Sequence, residues 1–414
     1  MTEIYETQSE RTDLPLVVMP SVLDSMIEPI KAQFPALHDV ARVRMFEEFT
    51  SDEATIAERL KDADALLVGG YHISDDLLRT ISGQGHVKCI VFCGTGVASY
   101  LNLDKARELK IRVCNAEHYG DHAVAEHTFA LLFELIRRVG QLDKDVKAGN
   151  WAWASGDGLQ LAGRRMGIIG LGGIGSTVAG IARAFGMKLV GYDPYCSPER
   201  AEQLGVTLYD DIDEILPIAD FITVHLPRTV STLGMFGADE FAAMKDGVRI
   251  VNLARGELVD TEALKAALAS GKCAAYVTDF PNNKILQGKN VVAIPHLGAS
   301  TPESEENCAV MAAQQLRDYL ENGNITHSVN YPACDMGPRP AEGGRIAVLH
   351  ANVPNMISQI SGALADAGAN IANLTNKARG EHAYTLIDTD APVADEALGA
   401  LRAIEGVRRV RAIG

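Results

Sequence analysis

The sequence predicts an α/β protein made of two doubly wound units with parallel sheets, followed by a small βαββαβ unit. Three observations carry this expectation. Short apolar runs alternate with amphipathic segments through most of the chain. A glycine-rich turn, Gly170-Leu-Gly172-Gly-Ile-Gly175, joins an apolar strand to an apolar helix. Residues 330–344, NYPACDMGPRPAEGG, hold three prolines and three glycines, a linker composition that sets off the C-terminal residues. A length of 414 residues also suits two or three domains.

In the first unit, Leu14–Met19, Ala65–Val68 and Cys89–Phe92 read as buried parallel strands. Ser21–Phe34 and Asp52–Leu60 read as helices, with Ser21 and Ser51 as N-caps. Asp121–Val139 has helical apolar spacing and makes the longest helix of this half. A second series begins at Arg165. Its strands are Met166–Gly170, Lys188–Asp193, Phe221–His225, Val248–Asn252, Ala275–Asp279 and Val291–Pro295. Gly173–Phe185 and Glu262–Ala269 are helices between them, and Pro302–Glu321 is a helix leading out. Past the linker come strand Arg345–His350, helix Pro354–Ala367, strands Asn370–Asn376 and Tyr384–Asp388, helix Asp395–Ile404 and strand Val407–Ile413. That order is ferredoxin-like.

Composition narrows the function classes. The net charge of −16 argues against a broad nucleic-acid footprint, though not against a local cationic pocket. Arg408, Arg409 and Arg411 alternate with apolar positions and read as a solvated face. The seven cysteines form no CxxC pair, which suits a reduced cytoplasmic protein without a zinc site. His118, His122 and His127 do not share a helix face, so no metal is expected. The charged N-terminus is no signal peptide, and the uncharged stretch Met166–Ala182 is too short and glycine-rich to span a membrane.

The turn at 170–175 matches GxGxxG in the context that gives the motif meaning: strand before, helix after, and an acid, Asp193, at the end of the next strand. Gly170 permits the turn, Gly172 lets backbone approach a pyrophosphate, and Gly175 allows close helix packing. Asp193 suits ribose hydroxyls and would repel a 2′-phosphate, so NAD is the expected cofactor. Chemistry in such a sheet lies at the carboxyl ends of its strands. There the sequence places His225, the run Asn252-Leu-Ala-Arg255-Gly256, and Pro295-His296-Leu-Gly298-Ala-Ser300. Oxidising a 2-hydroxy acid needs a cation for the carboxylate and a base for the hydroxyl proton, and Arg255 and His296 have that chemistry. The bland alternatives are a surface arginine and a hydrogen-bonded core histidine. His225 is expected to pack near the cofactor rather than titrate.

At these residues the chain resembles the D-2-hydroxyacid dehydrogenase family. The matching segments are AVAEHTFAL (123–131), the fingerprint, VHLPRTVST (224–232), NLARGELVDTEAL (252–264), TDF (278–280) and IPHLGAST (294–301). The C-terminal unit looks like an ACT domain, and the whole resembles the ACT-containing D-3-phosphoglycerate dehydrogenases of serine synthesis. The resemblance implies a substrate domain of residues 1–117 with 302–332, an inserted NAD domain at 118–301, a linker at 333–343 and an ACT domain at 344–414. Arg255 would bind substrate and His296 would be the acid/base. Gly173, Ile174, Asp193, Leu253, Ala254, Asp279 and the His296–Ala299 turn would line the NAD. Gly94-Thr95-Gly96 would present amides to the substrate carboxylate. In the ACT domain, His350, Asn352 and Asn370 would hold a small amino-acid effector such as L-serine. Asn355 stands where many relatives have glycine. A homodimer or homotetramer is implied, through the 121–139 helix.

Two departures stand out. The family places a glutamate five residues after the aspartate matched by Asp279, to orient the histidine; here that position is Lys284, a cation that beside His296 would disfavour imidazolium. Val68, Gly69 and Gly70 replace the phosphate-binding arginine and serine of many relatives, with only His72 potentially cationic nearby. Arg137 and Arg138 are the remaining candidates for a phosphate, across a dimer. The rival readings are a dehydrogenase for another small D-2-hydroxy acid and a non-catalytic NAD(H)-sensing protein.

Overall fold

A computed structural model describes residues 2–7, 11–84, 87–151, 157–286 and 288–413. The chain divides into two compact units, residues 1–119 with 302–414, and residues 120–301.

The first unit opens with β1 (Ile4–Glu6), β2 (Leu16–Met19), α1 (Asp24–Gln33), β3 (Arg42–Phe46), α2 (Glu53–Arg59), β4 (Ala65–Val68), α3 (Asp75–Gln84), β5 (Cys89–Phe92), α4 (Leu103–Glu108) and β6 (Arg112–Asn115). The strands lie in the order β1-β3-β2-β4-β5-β6, parallel except for β1. β2, β4 and β5 are buried along their whole length, as uninterrupted apolar runs require in a sheet covered on both faces. The expected caps are different. Asp52, not Ser51, caps α2 by accepting from the Thr55 amide at 2.8 Å. Ser21 is buried and exchanges hydrogen bonds with the Thr50 backbone, and α1 begins after Leu23 without a side-chain cap.

The second unit comprises α5 (Asp121–Arg137), α6 (Val139–Lys147), β7 (Arg165–Ile169), α7 (Gly173–Ala184), β8 (Lys188–Tyr192), α8 (Pro198–Leu204), β9 (Thr207–Tyr209), β10 (Phe221–Val224), α9 (Ala238–Ala243), β11 (Val248–Asn252), α10 (Thr261–Ser270), β12 (Cys273–Thr278) and β13 (Val291–Ala293). Its parallel sheet runs β13-β12-β11-β10-β7-β8-β9. The chain moves outward from β7 to β9 and returns at β10 beside β7. That reversal opens the crevice in which α/β sheets bind ligands. The long helix expected over 121–139 breaks at Arg138, which is left-handed at φ 50°, and the Glu134 side chain takes the Gly140 amide across the break.

The chain then returns to the first unit with α11 (Pro302–Asn322), β14 (Gly344–Ala351), α12 (Met356–Asp366), β15 (Ile371–Arg379), β16 (His382–Thr389), α13 (Asp395–Ala403) and β17 (Val407–Ile413). The four strands form a separate antiparallel sheet, β15-β16-β14-β17. One face packs on α12 and α13 through Ile346, Val348, Ile360, Leu364 and Leu401. The other face is not free: Ala347, Leu349, Tyr384, Leu386 and Ile413 share a core with Leu316 and Tyr319 of α11. The proline-glycine segment before β14 is strapped by Arg345, a buried side chain that pairs with Asp388 and donates to the Gly337 and Pro338 carbonyls. Arg409 and Arg411 do not form a solvated face. Arg411 lies 4.1 Å from the Tyr319 ring centroid and Arg112 4.3 Å from it, and burial with Arg112 nearby lowers the pKa of Arg409. Among the described residues no helix is long and apolar enough to cross a membrane.

Candidate active site

The glycine turn after β7 has the steric character its motif requires. Gly170 has φ 98°, and a Cβ there would lie 2.7 Å from the His225 carbonyl oxygen. A Cβ on Gly175 would overlap the Gly170 carbonyl. Gly172 is the opposite case, with no atom within 4 Å of where a Cβ would stand. Open space at Gly172, with Gly173, Ile174 and Gly175 starting a 12-residue helix that has no side-chain cap, fits a dinucleotide pyrophosphate against free N–H groups. Asp193 follows β8, and its carboxylate holds the turn: Oδ2 accepts from the Leu171 amide at 2.7 Å and Oδ1 from the Tyr195 amide at 2.8 Å. Each oxygen keeps a further lone pair for ribose hydroxyls. His225 follows β10; its Nε2 lies 2.8 Å from the Thr223 hydroxyl, and burial pushes its imidazole down to about 4.

The polar residues gather at the ends of β11, β12 and β13. Asn252, fully buried at the end of β11, shapes the turn that carries Leu253, Ala254 and Arg255. Its Nδ2 donates to the Arg255 carbonyl at 2.8 Å and to the Tyr276 hydroxyl at 3.1 Å, while its Oδ1 accepts from the Ala254 amide at 3.1 Å. Gly256 lets this turn pass the Phe280 carbonyl, which would sit 2.8 Å from a Cβ there. The Phe280 ring joins the two candidate catalytic side chains. The Arg255 guanidinium carbon lies 5.1 Å from its centroid, and the His296 ring 4.1 Å centroid to centroid. The sequence gives Phe280 no role of its own; the TDF segment that contains it is the available signal.

Asp279 supplies the acid that the sequence comparison found missing. Its Oδ2 lies 2.6 Å from His296 Nδ1. A carboxylate only accepts, so Nδ1 carries the proton and Nε2 is left for chemistry. Asp279 is fully buried while the His296 side chain is 47% exposed, so one end of the pair is fixed and the other reaches solvent. Lys284 is not beside His296. Its ammonium pairs with Glu262 at 3.3 Å on α10, so the expected opposition to imidazolium does not arise from it. Gly298 is buried next to Asp279, and Ala299 follows it.

In the first unit, the Gly94-Thr95-Gly96 loop is anchored through Thr95, whose hydroxyl donates to the Ala116 carbonyl and whose carbonyl accepts from Asn115. The Gly94 amide is committed to Phe92 O, which leaves Thr95 and Gly96 as the amides to consider. The expected effector residues are placed differently from one another. His350 lies within β14 and is buried, with Nε2 2.8 Å from the Thr385 hydroxyl and Nδ1 2.8 Å from Ala351 O. Asn352 and Asn370 are exposed, with their amides donating to Gly380 O and to Asp390 respectively. Asn355 is left-handed at φ 70°, which explains the suitability of glycine there and the tolerance of asparagine.

Residues 129–298 match the family model described as D-isomer specific 2-hydroxyacid dehydrogenase, NAD binding domain. D-3-phosphoglycerate dehydrogenase of Methanocaldococcus jannaschii is 37% identical over 303 residues, covering 72% of this chain and 57% of that protein. The Rattus norvegicus enzyme of the same name is 39% identical over 290 residues, 68% of this chain and 53% of that one. The chain thus spans little more than half the length of these relatives. Among solved structures, apo D-lactate dehydrogenase from Escherichia coli superimposes with a TM-score of 0.65 at 26% identity, covering 76% of this chain and all of that one. A glyoxylate reductase from Paecilomyes thermophila gives a TM-score of 0.66 at 27% identity, covering 76% of this chain and 98% of that one. Residues 129–298 of this chain thus form a domain similar to the NAD-binding domain of D-isomer specific 2-hydroxyacid dehydrogenases.

Proposed function

We propose that this protein is an NAD-dependent D-2-hydroxyacid dehydrogenase whose substrate is 3-phosphoglycerate, oxidised to 3-phosphohydroxypyruvate on the route to L-serine. The observation that carries the reading is the Asp279–His296 pair, joined to Arg255 through Phe280 at the strand ends. Arg255 holds the substrate carboxylate through its planar fork. His296 Nε2 takes the hydroxyl proton, and Asp279 holds Nδ1–H and stabilises the imidazolium that results. NAD held in this domain would supply the hydride acceptor. Gly170 to Gly175, Asp193, His225 and the Leu253–Ala254 backbone form the cofactor's surroundings, and Gly298 and Ala299 belong to the same lining.

The names of the similar proteins support phosphoglycerate. The arginine-free strand end at Val68, Gly69 and Gly70 favours a second reading, another small D-2-hydroxy acid. A non-catalytic sensor loses its main motive, because Asp279 partners His296 and Lys284 does not oppose it. The test is a panel of D-2-hydroxy acids with NAD, followed by NADH absorbance. Turnover of 3-phosphoglycerate with the highest kcat/KM supports the reading. Turnover of another member alone replaces the substrate, and tight NADH binding without turnover on any member overturns the enzyme. Arg255→Lys must fail badly, because a point charge cannot reproduce the bidentate clamp.

The C-terminal unit is read as an ACT domain that binds a small amino acid, L-serine first. The exposed Asn352 and Asn370 would contact the ligand, with His350 backing them from within the sheet. The exposed edge strand β15 offers unpaired backbone groups to a second copy, consistent with a homodimer or tetramer. Calorimetry on wild type and an Asn352→Ala, Asn370→Ala variant decides this. No binding by wild type at millimolar serine removes the effector role. Seven free thiols suit a reducing, cytoplasmic setting.

A further inference from the structure

Beyond the pair just described lies a second histidine. Among the described residues of the second unit, two polar side-chain atoms are buried with no hydrogen-bond partner: Oδ1 of Asp279, the oxygen not used by His296, and Nε2 of His127 on α5. The helix packs against this spot. A Cβ on Gly298 would stand 3.5 Å from Val124 Cγ2 and 3.7 Å from Asp279 Oδ2, so Val124 and the carboxylate flank the same glycine. His127 is three residues after Val124, on the same side of the helix. We propose that His127 is a positioning residue of the reaction: as the Nε2–H tautomer it engages Asp279 Oδ1, directly or through one buried water, and so keeps Oδ2 aimed at His296 Nδ1.

The chemistry is complementary. A buried carboxylate oxygen needs a donor, and a neutral imidazole has one ring N–H to give. Burial lowers the His127 pKa and the Asp279 charge opposes that fall, so the ring is neutral at pH 7 yet feels the carboxylate. Neutrality matters, because a second imidazolium would compete with protonated His296 for the same acid. The remaining titratable and charged neighbours do not displace this arrangement. Burial pushes the Tyr276 phenol of β12 up to about 12, Arg255 after β11 lies over Phe280, and Arg183 of α7 is exposed, as are His122 and Glu126 of α5. The family's orienting glutamate is absent, so a short aspartate reaching from its own strand end must be held in one rotamer by something else. His127 is placed to do it.

The inference rests on the dehydrogenase reading, but one of its tests does not. In full-length protein without substrate, proton NMR of histidine ring N–H groups should show a far-downfield signal from His296 Nδ1–H, identified by its loss in His296→Asn. In His127→Phe this signal should weaken or move upfield, and in His127→Gln, which keeps a donor, it should return. In turnover, His127→Phe should lower kcat for keto-acid reduction about 10-fold with KM changed less than about 2-fold, and move the acidic limb of the oxidation profile to lower pH. His127→Gln should recover most of the rate. A downfield signal and pH profile unchanged in His127→Phe, or His127→Gln no better than His127→Phe, would overturn the role. Wild type without turnover on any acid would instead sink the dehydrogenase reading, and the NMR comparison would still decide the role of His127.

Discussion

Asn252→Ala removes the amide that shapes the Arg255 turn, and its cost can be worked from the hydrogen bonds. Three are lost: two donated by Nδ2 and one accepted by Oδ1. The Tyr276 hydroxyl also interacts with Thr278, so it is not orphaned. The Ala254 amide is left without its partner beside a fully buried position, while the Arg255 carbonyl keeps a long hydrogen bond from the Leu258 amide at 3.4 Å. At about 1–3 kcal/mol for an unsatisfied buried group, the loss is roughly 2 kcal/mol of stability. The same change frees the backbone of Arg255, so substrate binding should suffer more than cofactor binding. A misplaced carboxylate clamp should lower kcat/KM about 100-fold, with NAD affinity changed only a few-fold. Urea unfolding measures the first quantity, and steady-state kinetics with NAD fluorescence titration measures the second. Asn252→Asp separates the roles, because it keeps the acceptor for Ala254 and loses the donor to Arg255. An alanine variant within 1 kcal/mol of wild type by the same scale, with unchanged kcat/KM, would refute the argument that this amide sets the turn.

Three further outcomes follow from the geometry. Gly172→Ala should fold with an unchanged melting temperature but lose NAD affinity at least ~10-fold, whereas Gly175→Ala should also destabilise the domain, since its methyl meets backbone. Equal melting temperatures for the two variants would contradict the steric reading. Lys284→Glu should leave the pH–rate profile where it is, because the ammonium pairs with Glu262 on the surface; a moved profile would place the side chain near His296 after all. The His225 imidazole, pushed down to about 4 by burial, stays neutral in the folded protein while the unfolded chain protonates below its ordinary value of 6.5. The unfolded state therefore binds more protons between pH 6.5 and 4, and stability falls on acidification across that window by up to ~3 kcal/mol. His225→Asn should flatten this part of the urea-midpoint series, and parallel curves would show that the ring is not desolvated.

The architecture was legible wherever a local pattern had a local cause. β2, β4 and β5 are continuous apolar runs, and the GxGxxG turn announces its strand, helix and acid together. The caps were less legible, because Ser21 chose a partner 29 residues away over the nearby helix start. The break at Arg138 also escaped, since left-handed backbone at an arginine has no composition signal. At the site, Arg255 and His296 could be picked out as chemistry at strand ends. The role of Asp279 could not, because the residue after β12 and the turn beyond β13 meet only once the sheet is formed, 17 residues apart along the chain. Lys284 misled for the same reason: spacing along a loop says little about which way the loop turns.

The stack of Arg112 and Arg411 on Tyr319, with Arg409 close by, sets like charges against phenol rings and the shared apolar packing from Leu316 to Ile413. Because Arg112 is buried, counterions in solution screen this cluster little, so the hold of the sheet on the rest of its unit should be nearly indifferent to ionic strength. Cutting the chain before β14 would not release an independent module; it would bare Tyr319 and its apolar neighbours to water.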